Sequence, residues 1–178
     1  MIVVFVDRDG VINRLVERDG GRYSPLSFES FALIEGVEIA IKRLNEIGCQ
    51  VVVVTNQPEI SRGRLAVSEL RKMHDRILGL SVDQVLYCPH DAAENCDCRK
   101  PNTGLMLTFL SQMPNAPTTI WMIGDRNSDL LAGKRIGALT VWISTGQQET
   151  TPPPELVDFR APSLDAATVI IQEVNART

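Results

Sequence analysis

The chain has 178 residues, enough to bury one substantial core and too few for two ordinary domains. With 44% hydrophobic and 22% charged residues it falls among folded globular chains, so disorder is not the default. A formal net charge of -4 without a basic block argues against a general nucleic-acid binder, and no apolar run reaches the length of a bilayer span.

The opening "MIVVFVDRDG" has no basic residues ahead of its short apolar run and an acidic pair behind it, so it does not read as a signal peptide. A cytoplasmic protein is expected, and in a reducing compartment clustered cysteines favour metal over disulfide. "IVVFV" (2–6) is a continuous, β-branched run, the pattern of a strand buried on both faces of a parallel sheet. Residues 10–35 break the pattern: "GGRYSP" is turn-rich, and the region reads either as a small hairpin flap or as a plain surface loop.

"GVEIAIKRLNEIG" (36–48) predicts a helix with Val37, Ala40, Ile41, Leu44 and Ile47 on one face and Gly48 as its stop. "CQVVVVTN" (49–56) predicts a second buried strand, "VSELRKMHDRILGL" (67–80) a helix and "VDQVLYCP" (82–89) a weaker strand. Beyond the cysteines come a helix at 103–113, a strand in "TTIWMIGD" (118–125), a helix at 128–137 and a strand in "LTVWIS" (139–144). A proline-rich connector, "TTPPPE" (150–155), leads to a closing helix over 163–174. Strands alternating with helices predict a single three-layer α/β/α, Rossmann-like domain spanning 1–178, with a mostly parallel central sheet.

The polar residues fall where such a sheet binds ligands, beyond the carboxyl ends of its strands. Asp7 and Asp9 follow the first strand, Thr55, Asn56 and Gln57 the second, and Asp125 the strand "TIWMIG". If those strands are neighbours, the three sets meet at one edge. Clustered carboxylates are costly without a compensating cation, and hard oxygen donors without a nearby His or Cys suit Mg²⁺. Asp7 could then attack phosphorus while Asp9 handles the proton of the leaving alkoxide. Helix capping is the plainer reading; it does not require acids at separate strand ends, but for Asp129 capping and a site role stay equally open.

Cys88, His90, Cys96 and Cys98 form C-x-H-x5-C-x-C, three thiolates and an imidazole that suit a closed, structural tetrahedral Zn²⁺ site. A disulfide is disfavoured by the compartment. A zinc ribbon for nucleic acid would carry C-x2-C spacing and basic flanks, whereas Asp91, Glu94 and Asp97 are interleaved here. Catalytic zinc would need a vacant position, and four good ligands leave none. Plain structural readings serve for the rest: Cys49 as a small core residue, His74 on a solvated helix face, Trp121 and Trp142 packed between sheet and helices.

"DRDGVIN", "VVVVTNQ", "CRKP" and "IGDRNSD" together resemble, in this order, the four motifs of the haloacid dehalogenase superfamily of phosphatases. The inserted "CPH…CDC" is similar to the branch holding the D-glycero-D-manno-heptose 1,7-bisphosphate and histidinol-phosphate phosphatases. The resemblance implies Asp7 as nucleophile, Asp9 as general acid/base, and Mg²⁺ held by Asp7, the main-chain carbonyl of Asp9, and Asp125. It implies that Thr55 and Asn56 bind phosphoryl oxygens, that Lys100 neutralises charge on the phosphate and Asp7, and that Arg99 reaches the remote end of the substrate. Arg126 stands where a basic residue accompanies the metal ligand, and Val11 replaces a common Thr without removing a chemically essential group. It implies no large cap domain, a flap within 10–35 and a zinc loop at 88–98.

Within the branch, the x5 gap between His90 and Cys96 looks like the histidinol-phosphate enzymes, whereas "TNQPEISRG" and "RKPNTGLM" look like the heptose enzymes. The larger second set points to a small phosphorylated sugar as substrate, with Arg62 or Arg64 meeting a second phosphate unless they are merely solvated. A monomer is expected. A catalytically silent metal-binding protein on the same fold is the reading from another class, and the complete set Asp7, Asp9, Lys100 and Asp125 speaks against it.

Overall fold

The computed structural model describes residues 1–144 and 151–176. Its centre is a six-stranded sheet of β1 (Ile2–Val6), β4 (Cys49–Asn56), β5 (Gln84–Cys88), β6 (Thr119–Gly124), β7 (Leu139–Ile143) and β8 (Phe159–Ala161). Their order is β5-β4-β1-β6-β7-β8, and every neighbouring pair is parallel. This is the mostly parallel α/β architecture that the alternating pattern predicts.

The unbroken apolar runs are explained by burial on two faces. Val4 and Val6 of β1, with Val51 and Val53 of β4, pack against α1 (Val37–Glu46), α2 (Val67–Leu78) and α5 (Leu164–Asn175). The alternate residues Val3, Phe5, Val52 and Val54 pack against α3 (Gly104–Ser111) and α4 (Asn127–Arg135), where Phe5 meets Phe109 edge-on at 5.8 Å. A period-two alternation into two cores leaves no solvent face, hence no polar residue within β1. Trp121 is fully buried against Phe159, and Trp142 is buried with Arg160 over its ring.

Helix limits fall within two residues of those expected at most ends, and Gly48, at φ 76°, stops α1 as a left-handed terminus. Residues 10–35 hold a hairpin, β2 (Val16–Arg18) and β3 (Gly21–Tyr23), closed by Asp19 and Gly20, both at positive φ. That conformation matches the right-handed twist of a two-residue hairpin loop. Strand β8 was not legible: three residues carry no periodicity, and pairing with β7 alone defines it. Of the proline-rich connector, Thr150 lies outside the described residues; Pro154–Leu156 make a short 3₁₀ turn.

One expectation is overturned. His74 does not sit on a solvated face; it is 8% exposed and lies on the buried side of α2 with Leu70, Met73 and Ile77. Its position four residues after Leu70 and three before Ile77 already placed it inward, and the charged neighbours "RK" and "DR" masked that spacing.

Candidate active site

The strand order brings the three polar strand ends together. Val6 is registered against Val53 on one side and Ile123 on the other, and Asp7 continues the ladder by donating to the Ile123 carbonyl at 2.9 Å. Asp7, Asp125 and Asp129 are all buried, and each offers a carboxylate oxygen within 4.8 Å of the others. Lys100, 3% exposed, donates to Asp7 Oδ1 at 2.6 Å and to the Val54 carbonyl at 2.6 Å, and pairs with Asp129 Oδ1 at 2.7 Å. Asp129 is therefore both things the sequence left open, because its Oδ2 also accepts from the Arg126 main-chain N–H at 3.1 Å as a helix cap.

Two of the three buried acids pair with one lysine, and Asp125 does not. Burial pushes Asp125 up to about 8, with the carboxylates of Asp7 and Asp129 adding to it. Burial also raises Asp7, to about 6, where Lys100 opposes and Asp129 and Asp9 reinforce the shift. Burial works against charge on Lys100, but the Asp129 and Asp7 carboxylates outweigh it and hold the lysine protonated. Asp125 Oδ1 is buried without a hydrogen-bond partner. An orphaned carboxylate oxygen beside two more hard oxygens is a donor set that fits Mg²⁺.

Two glycines make this crowding possible. Gly10, at φ +94°, has no side chain where a Cβ would stand 2.5 Å from Asp125 Oδ2, and at Gly124 a Cβ would fall 2.3 Å from Asp129 Cβ. Gly124→Ala is expected to destabilise the protein by about 1–3 kcal/mol, as overpacking does, and to lower kcat/KM by displacing Asp129 from Lys100. Thermal melts and phosphate-release assays check both; an unshifted melting temperature with full activity would refute the crowding.

The Asp9 carboxylate is held by a separate set of donors. Arg8 Nη2 donates to both its oxygens at 2.8 and 2.9 Å, Asn13 Nδ2 to Oδ1 at 3.0 Å, Gln57 Nε2 to Oδ2 at 2.6 Å and Thr55 Oγ1 to Oδ2 at 3.4 Å. Burial would raise this carboxyl, but the Arg8 charge and these bonds win and lower it. Asn13 reaches Asp9 because the chain turns back after Arg8, whose carbonyl accepts from the N–H groups of Ile12 at 2.8 Å and Asn13 at 3.0 Å. Arg8, Asn13 and the role of Gln57 escaped sequence reading, although "DRDGVIN" contains the first two. Asn56 lies beside the cluster with its side chain engaged: its amide donates to the Lys100 carbonyl and accepts from the Lys100 N–H, each at 3.0 Å.

The four residues of the cysteine motif do converge. Cys88 Sγ lies 3.5 Å from Cys96 Sγ and 3.6 Å from His90 Nδ1, while Cys98 Sγ lies 3.1 Å from Cys88, 3.3 Å from Cys96 and 3.2 Å from His90 Nδ1. These separations far exceed a sulfur–sulfur bond of about 2.05 Å. They approach the roughly 3.5–3.8 Å edges of a tetrahedron with zinc–ligand bonds of about 2.0–2.3 Å. The loop is tied down at both ends. Cys88 closes β5 and accepts from the Gln57 N–H at 2.7 Å, and Asn102 Nδ2 donates to the Cys96 carbonyl at 2.8 Å.

The arginines differ in their freedom. Arg62 is engaged, bridging Asp91 of the cysteine loop and Glu59 of its own loop, the latter at 2.7 Å. Arg64 pairs with the same Glu59. Arg99 donates to the His90 carbonyl at 3.2 Å. Arg126 is surface-exposed just ahead of α4, and partial loss of water around its guanidinium is outweighed by the Asp125, Asp7, Asp129 and Asp9 carboxylates, which raise its pKa.

Comparison with known proteins matches residues 97–167 to the HAD-hydrolase-like family. A D-glycero-beta-D-manno-heptose-1,7-bisphosphate 7-phosphatase of Pseudomonas putida is 36% identical over 157 residues, 85% of this chain and 87% of that protein. A D-glycero-alpha-D-manno-heptose-1,7-bisphosphate 7-phosphatase of Mycobacterium tuberculosis is 33% identical over 142 residues, 76% of this chain and 73% of that one. Among solved structures, a D,D-heptose 1,7-bisphosphate phosphatase of B. bronchiseptica complexed with magnesium and phosphate superposes with a TM-score of 0.81 at 25% identity. That match covers 97% of this chain and 99% of the other.

Proposed function

The chain belongs to the haloacid dehalogenase superfamily of phosphatases, in the branch that holds the heptose 1,7-bisphosphate phosphatases, and on that premise we propose that it is a Mg²⁺-dependent phosphomonoesterase working through an aspartyl-phosphate on Asp7. The observation that carries the reading is the set of three buried acids, of which Asp7 and Asp129 pair with Lys100 while Asp125 Oδ1 is left unpartnered. Mg²⁺, held by Asp7, Asp125 and the Asp9 main-chain carbonyl, would supply the missing positive charge against which a phosphoryl group can settle.

Thr55, Asn56 and Lys100 then hold the phosphoryl oxygens. Lys100 engages Asp7 Oδ1, so Oδ2 is the attacking atom. A bond forms from that oxygen to phosphorus, the ester P–O bond breaks, and Asp9 gives its proton to the departing alkoxide. The arriving phosphate dianion raises the proton affinity of Asp9 and so arms it as an acid. Afterwards the donors around Asp9 favour its ionised form, the one needed to take a proton from the water that hydrolyses the aspartyl-phosphate.

Cys88, His90, Cys96 and Cys98 are assigned to a structural Zn²⁺, whose service is to fix the segment carrying Arg99 and Lys100. The proposed substrate is D-glycero-D-manno-heptose 1,7-bisphosphate, cleaved at the 7-phosphate, with Arg99 and Arg126 toward the rest of the sugar phosphate. Arg62 would have to leave Glu59 and Asp91 to join them. The chain is taken as a cytoplasmic monomer without nucleic-acid or membrane partners; no helix among the described residues is long and apolar enough to cross a membrane.

Histidinol phosphate is the second reading, favoured by the short gap between His90 and Cys96. Purified protein is expected to prefer heptose 1,7-bisphosphate in kcat/KM by at least about 100-fold, a lower bound on the roughly 10⁴–10⁵-fold by which a polar site rejects a substrate lacking its partners. The reverse preference would move the assignment to the histidinol-phosphate branch. Comparing the two anomers of the bisphosphate, which the Pseudomonas and Mycobacterium relatives divide between them, would settle the anomer.

A further inference from the structure

Arg8 is fully buried and its Nε has no hydrogen-bond partner, so the charge of the guanidinium is compensated only through its two terminal nitrogens. One terminal nitrogen, Nη2, grips both oxygens of Asp9. The other, Nη1, lies 3.3 Å from Nε2 of His74, a residue 66 positions away on α2. Arginine has donors only, so a hydrogen bond here requires His74 to accept at Nε2, which fixes the imidazole as neutral with its proton on Nδ1. Burial and the adjacent guanidinium both favour that neutral form, lowering His74 to about 4. The ring is braced in turn by Tyr87 on β5, with centroids 5.4 Å apart.

We propose that His74 is a positioning residue for phosphoryl transfer, orienting the Asp9 carboxylate through Arg8. The inference rests on the reading of Asp9 as the acid that protonates the leaving group. Without an acceptor at His74, Arg8 Nη1 joins Nε as an unpaired donor in the core, and the guanidinium keeps only its Nη2 contacts to Asp9 to fix its orientation. The bland alternative is a core histidine that merely fills space. The two differ in which substrates suffer. An alkyl phosphate releases an alkoxide that needs the proton from Asp9, whereas p-nitrophenyl phosphate releases a phenolate that leaves without one. Because kcat/KM includes only steps through the first irreversible transfer, it isolates the step in which Asp9 acts as acid.

The test compares His74→Leu and His74→Gln with the wild type on heptose 1,7-bisphosphate and on p-nitrophenyl phosphate. His74→Leu is expected to lower kcat/KM on the alkyl ester by about tenfold or more, a part of the 10²–10⁴-fold that general acid catalysis supplies. Its loss on p-nitrophenyl phosphate should stay within about threefold, and His74→Gln, whose amide oxygen can accept from Arg8, should restore most of the alkyl activity. If His74→Leu does not fold, His74→Asn, polar but too short to reach Arg8, enters the same comparison. Equal losses on the two esters, or no loss on either, overturn the inference while leaving the phosphatase reading intact. An Asp9→Asn variant that retains full alkyl-ester activity would instead overturn the acid assignment on which it rests.

Discussion

Asp7→Asn is expected to lower Mg²⁺-dependent phosphate release by at least about 10³-fold, the scale of loss when a covalent nucleophile is removed. The amide has nearly the same shape but cannot form the aspartyl-phosphate. The fold should survive, for a reason visible in the site. Asp7 is one of three crowded, buried carboxylates, and burial already pushes its carboxyl up to about 6. Replacing it with a neutral group relieves repulsion from Asp125 and Asp129, while Lys100 keeps Asp129 and the Val54 carbonyl as partners. The gain and the loss oppose each other, so stability should change by no more than about 1 kcal/mol. Circular dichroism melts alongside a phosphate assay test both halves. Turnover at the wild-type level would sink the nucleophile assignment, and a melting temperature far below wild type would show that Asp7 is chiefly structural.

Cys98→Ser should produce the second large effect, through position instead of chemistry. Cys98 is within 3.1–3.3 Å of each of the other three members of its set. Two residues later comes Lys100, whose main chain is clamped on both sides by Asn56. Structural zinc in isolated fingers is worth about 10–16 kcal/mol, so losing even a fraction of it here should cost at least about 3 kcal/mol. For a chain of this size that is roughly 10 °C in melting temperature. The variant should purify with little zinc and with kcat/KM reduced by about 100-fold or more, as a misplaced positioning group costs. Added Mg²⁺ should not restore it. Full activity in a zinc-free variant would show the staple to be dispensable.

The two sets of candidate metal ligands were unequally legible. That the cysteine set would converge could be read outright, since a thiol and imidazole pattern at i and i+2 spacing, repeated once, has few other uses. Asp7, Asp9 and Asp125 could be read as belonging to strand ends, because the apolar runs before them are long enough to identify strands. Asp129 could not be assigned, since helix capping and ion pairing with Lys100 use the same residue at the same place, one carboxylate oxygen for each. Arg62 shows what a loop cation leaves unread: its ion pairs with Glu59 and Asp91, two residues distant from each other in sequence, could not be seen in the local pattern.

By itself the sequence determined the alternation of elements, the double burial of the central strands and the chemistry available at their ends. These follow from local composition, where periodicity and side-chain type act over a few residues. Only the tertiary structure decided the strand order β5-β4-β1-β6, which sets Asp7 between the ends of β4 and β6. It alone joined His74 to Arg8 and made β8 a strand through its pairing with β7. The physical reason is common to all three. Each depends on contacts between segments far apart in the chain, where the energy comes from burial and from partners that no local pattern names.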